Sequence, residues 1–146
     1  MTAKEIWDGL LNSRLPGTDS AYILPRGEAP RVDSLTTFGV LARSKDTAGA
    51  FSMLEIAGAR GAMAPEHSHG TEAEAFYVLD GRMDVHVADQ SRSVAPGDFV
   101  YIPRATRHAF EITRAATSAR SSALASLKSV GSRGNLRSVS SPNSRK

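Results

Sequence analysis

The chain contains no cysteine among its 146 residues. Disulfides, thiolate metal sites and a cysteine nucleophile are therefore excluded. Aromatic side chains make up only 6%, and none follows Phe110. No apolar run approaches the ~18–20 residues of a membrane-spanning helix. The N-terminus also lacks the basic-then-apolar order of a secretory signal. Acidic residues are missing from one region altogether, since residues 114–146 carry seven basic side chains and no acid. Residues 1–113 hold 11 basic and all 15 acidic groups, a net of −4, so the tail alone lifts the chain to +3. An acidic body without signal or cysteine predicts a cytoplasmic protein with no membrane partner.

Ten of the 33 residues in 114–146 are serine, and Leu124, Leu127, Val130, Leu136 and Val139 follow no sustained period. Such a composition buries too little apolar surface to offset its ordering entropy, so disorder is expected over 114–146. Its positive charge could meet nucleic-acid phosphates. It offers no aromatic ring to stack on a base, and a solvated tail is the simpler reading.

The body has the composition of one ordinary globular domain, with 40% apolar and 23% charged residues overall. Thr2-Ala3-Lys4-Glu5 has the form of a capping box and is followed by Ile6, Trp7, Leu10 and Leu11. This predicts a short amphipathic helix stopped before Pro16-Gly17, with residues 1–19 as helix and linker. From residue 36 the rhythm changes. β-prone runs cover 36–43, 51–57, 73–79, 82–88, 98–102 and 107–112, separated by Gly58, Gly61, Asp80-Gly81, Pro96-Gly97 and Pro103. Asp80-Gly81, between Phe76–Leu79 and Met83–Val87, predicts a hairpin. Short strands so closely spaced predict an all-β barrel or sandwich over 20–113. The pattern stops near Ile112, which would leave the barrel incomplete and its strand edges open.

Three of the four histidines and one glutamate stand out as a set: His67, His69, Glu74 and His108. In an extended segment His67 and His69 share a face, with Cα atoms roughly 6.5–7 Å apart. Two imidazoles so placed can converge on one ion, and Glu74 returns from the next strand beyond the Gly70-Thr71-Glu72 turn. His108 would complete the set from a later strand. Histidine and carboxylate without sulfur suit Fe, Mn, Ni, Cu or Zn, and an open position would permit catalysis. Read singly, each has a plainer explanation: a surface His-x-His pair, an exposed acid, a part-buried imidazole. His86 alternates outward with Asp84 and is left out of the set.

The spacing of these residues with glycine and proline resembles the cupin superfamily. Gly61, His67, His69, Glu74 and Gly81 match its first motif, G-x5-H-x-H-x3–4-E-x6-G. Gly97, Pro103 and His108 match the second, G-x5-P-x-G-x2-H-x3-N, whereas Ala105 replaces its last glycine and Ile112 its asparagine. Three segments narrow the likeness: Ala21-Tyr22-Ile23-Leu24-Pro25, Glu74 to Gly81, and Pro103 to Phe110. They look like the small single-domain cupins grouped with quercetin 2,3-dioxygenases, over about residues 20–111. The resemblance implies a cupin β-barrel, a divalent metal held by His67, His69, Glu74 and His108, and dioxygen-dependent cleavage of a flavonol. Glu74 would also act as the base, and Phe76 and Phe110, sharing strand parity with Glu74 and His108, would face the substrate. Core packing is the other reading of these two rings. A metal-dependent isomerase or epimerase and a non-catalytic binding cupin remain alternatives. Cupins often pair through their sheets, so a homodimer is expected. For the break at residue 112 two accounts arise, closure of the barrel by a partner chain and a shift of reading frame.

Overall fold

The computed structural model describes residues 15–32, 36–115 and, as backbone, 124–130. The helix expected at the N-terminus lies outside the described residues. Among the described residues ten strands form: β1 (Arg31–Val32), β2 (Thr36–Ala42), β3 (Ser52–Gly58), β4 (Met63–His67), β5 (Glu72–Val78), β6 (Arg82–Val87), β7 (Gln90–Val94), β8 (Phe99–Ile102), β9 (His108–Arg114) and β10 (Leu124–Val130). They build a six-stranded sheet in the order β1-β2-β3-β10-β5-β8 and a four-stranded sheet in the order β4-β9-β6-β7.

Alternation along the strands decides which side chains meet between the sheets. From the larger sheet come Val40, Leu54, Ile56, Phe76, Val78 and Ile102, and from the smaller Met83, Val85, Val94, Phe110 and Ile112. Glu74 and His108 occupy the same inward faces, two residues from Phe76 and Phe110, and both are buried. The site is thus part of the barrel interior.

Two expectations need correction. Gly81 does take the left-handed conformation expected at a tight turn, φ 82°. The strands on either side do not pair, however, since β5 bonds to β8 and β10 while β6 bonds to β7 and β9. Asp80-Gly81 therefore carries the chain from one sheet to the other, and no hairpin forms there. The second correction concerns the tail. Arg114 ends β9, and Leu124–Val130 runs antiparallel to both β3 and β5. Without β10, these two strands would each face a slot with unpaired backbone groups. A strand inserted there gains hydrogen bonds on both sides whether or not its side chains follow an apolar period. For these seven residues disorder is not what the structure shows, and the larger sheet is continuous. Residues 116–123 and 131–146 lie outside the described residues.

The chain entering the barrel is fastened by one buried ion pair. Arg43 and Asp46 are 8% and 3% exposed. Asp46 accepts from Arg43 Nε at 2.8 Å and from the Gly17 amide at 2.6 Å, while Arg43 Nη2 donates to the Leu15 carbonyl at 3.0 Å. The guanidinium hydrogen bonds hold the Asp46 carboxyl down at about 2. Leu15, so anchored, joins the core.

Candidate metal centre

His67 closes β4, His69 follows in the adjoining loop, Glu74 lies on β5 and His108 opens β9. His67 and His108 are direct register partners across β4 and β9. One ligand atom from each of the four residues falls within 4.8 Å of the others. The imidazole centroids are 5.0 Å apart for His67 and His69, 4.2 Å for His67 and His108, and 5.4 Å for His69 and His108. The structure brings all four sequence-selected residues together. His86 is elsewhere, on the outer face, with its Nδ1 2.6 Å from the Ser91 hydroxyl.

Backbone carbonyls orient two of the rings. His67 Nδ1–H donates to the Pro65 carbonyl at 2.7 Å, and His108 Nδ1–H donates to the Thr106 carbonyl at 2.9 Å. In a neutral imidazole this leaves the Nε2 lone pair directed at the centre. Glu74 Oε2 lies 3.1 Å from His108 Nε2 and 3.2 Å from His69 Nε2. A lone pair facing a carboxylate oxygen at that distance repels it unless positive charge lies between. The donor set therefore fits a cation with nitrogen and oxygen preferences, and carbonyl-held histidines are the usual support for one. Glu74 and His108 are buried whereas His67 and His69 are half-exposed, so the cluster opens to solvent on the latter side.

Sequence reasoning did not find the carbonyls of Pro65 and Thr106, each two residues before its histidine. Their shared spacing, Pro65-x-His67 and Thr106-x-His108, was the available signal. It also missed two ties between the ligand segments. The Ala105 amide donates to the His69 carbonyl at 2.8 Å, and Arg107 pairs with Glu66 beside His108 and His67. Ala105 has φ 58°, the left-handed conformation for which the second motif has glycine. Phe76 and Phe110 pack edge to face, with centroids 5.7 Å apart, inside the core.

A model of the cupin domain matches residues 56–120, which include all four clustered residues. The chain carries a cupin domain. This cupin is 31% identical over 103 residues to quercetin 2,3-dioxygenase of Bacillus subtilis, a match covering 68% of the chain. It spans 30% of that enzyme's length. Among solved structures it is similar to KdgF from Halomonas sp., with TM-score 0.66 and 19% identity over 78% of the chain and 97% of KdgF. It is also similar to a predicted oxalate decarboxylase from Thermotoga maritima, with TM-score 0.62 and 16% identity over 75% and 99%. At such identities the two structures establish the fold of this cupin.

Proposed function

We propose that the chain is a metal-dependent dioxygenase acting on a flavonol-like or other enolic aromatic substrate. The observation that carries this reading is the convergence of His67, His69, Glu74 and His108, with two imidazoles fixed by backbone carbonyls. The likeness to a quercetin 2,3-dioxygenase supports the substrate class. The four residues would hold one divalent ion, Fe, Mn, Ni, Cu or Zn, and when bound it would supply a Lewis-acidic centre for the substrate oxygen and for dioxygen.

Glu74 has a second task. Its carboxylate accepts the proton of the substrate hydroxyl, and its burial places that transfer away from bulk water. A cation shared with His69 and His108, whose Nε2 atoms lie beside Glu74 Oε2, would keep the carboxylate in place. Phe76 and Phe110, two residues further along the same inward faces, form an apolar wall next to the reacting group. Half-exposed His67 and His69 mark the side from which substrate arrives.

A cytoplasmic homodimer accompanies this reading. Its contact is placed on the outer face of the larger sheet, around exposed Tyr77 on β5. No described helix is long and apolar enough to cross a membrane.

Oxygen uptake by the metal-loaded protein with quercetin as probe tests the reaction. Flavonol-dependent uptake that disappears in His108→Ala is the expected result. Quercetin binding without uptake would make the chain a binding cupin. Turnover of an oxygenated substrate without dioxygen would favour an isomerase or epimerase.

A further inference from the structure

The two sheets leave a seam where the edge strands β7 and β8 approach without pairing. β7 ends the smaller sheet and β8 ends the larger. Between them lies a cleft of about 260 Å³, with Val85, Val87, Val94 and Val100 along it and Gln90, Arg92, Phe99 and Tyr101 completing its lining. None of these is a member of the His/Glu cluster.

The register makes the polar members unusual. Gln90 pairs with Val87, Arg92 with Val85 and Val94 with Met83, so all three β7 residues stand on the core-facing side of the sheet. Alternation calls for apolar residues there, and Val94 complies by being buried. Gln90 and Arg92 do not, since both are exposed; Arg92 lines the cleft, and among the described residues it forms no ion pair. An exposed cation beside an apolar floor and two aromatic rings is complementary to an anion with a flat apolar body.

We propose that this seam is a second ligand site, taking a small aromatic carboxylate. Arg92 grips the carboxylate through paired N–H donors, Gln90 adds an amide donor, and the ring lies over Val87 and Val100 between Phe99 and Tyr101. The site stands independently of the metal-dependent reaction. The competing explanation is that an inward charge on β7 only discourages edge-to-edge pairing with other chains.

Calorimetric titration of the full-length chain with 2-naphthoate and with neutral 2-naphthamide separates these accounts. The expected result is saturable naphthoate binding, with the amide weaker by about tenfold or more, the loss of a charge-assisted hydrogen bond. Arg92→Gln is expected to weaken naphthoate by a similar factor with unchanged melting temperature, and Arg92→Lys to recover part of it. Prior treatment with a chelator should leave binding intact. Equal affinity for acid and amide, or full affinity in Arg92→Gln, would overturn the proposal. So would binding abolished by the chelator, which would put the ligand on the metal centre. Absent naphthoate binding together with aggregation of Arg92→Gln would assign Arg92 to edge protection instead.

Discussion

Glu74 is asked both to hold the ion and to move a proton. Changing it to glutamine keeps the shape and one oxygen but removes the base. Glu74→Gln is therefore expected to retain measurable metal while flavonol-dependent oxygen uptake falls by roughly 10²–10⁴-fold, the span of general-base contributions. Elemental analysis beside oxygen uptake checks it, and undiminished uptake would remove Glu74 as the base. Ala105 supplies a second prediction. Its φ of 58° costs an L-residue with a Cβ roughly 1–2 kcal/mol, part of which glycine forfeits through its freer unfolded chain. Ala105→Gly is expected to raise thermal stability modestly without moving the amide that bonds His69. A fall in melting temperature would contradict this.

At the scale of elements, the Arg43–Asp46 pair governs how the segment from Leu15 to Gly17 sits on the barrel. Asp46 has a folded pKa of about 2, below the ordinary 3.8. Its contribution is fully present above about pH 4 and is lost as the pH falls through about 2. The shift corresponds to a stabilisation on the order of 2 kcal/mol. Denaturant unfolding between pH 5 and 2 should show this loss, and Asp46→Asn should be less stable at neutral pH with a flatter acid limb. An acid limb unchanged by Asp46→Asn would contradict it.

The same scale shows what could be read in advance. β2, β3, β5, β6, β8 and β9 each fall within about two residues of an expected run, because their inward faces are apolar and turn residues bound them. β4 escaped notice because Pro65 and its polar neighbours hide it, and β7 because Gln90, Ser91, Arg92 and Ser93 lack any apolar alternation. The four-residue cluster was legible because ligand chemistry restricts residue type and strand geometry restricts spacing. The carbonyls that orient His67 and His108 were not, since every residue has one.

For the whole molecule the decisive strand is β10. It bonds β3 on one side and β5, the strand of Glu74, on the other. A chain ending after Ala115 is expected to expose both edges, aggregate, and lose the metal together with its cooperative melting transition. Retention of metal by that truncated chain would show that β10 is dispensable. Resequencing the gene around codon 112 addresses the frame-shift account: alternating apolar strands encoded after residue 112 in another frame would make the serine-rich tail a replacement for a stronger closing strand. Tyr77→Ser should shift a dimer toward monomer in light scattering, and an unchanged mass would move the contact elsewhere.

The central claim is that His67, His69, Glu74 and His108 assemble a metal centre in this chain. Metal content per chain, measured by elemental analysis on soluble protein without a histidine tag, tests it most directly. The account predicts about one transition-metal ion per chain, lost in His67→Ala/His108→Ala. Metal far below that level, and not regained on adding Fe, Mn, Ni, Cu or Zn, would contradict it.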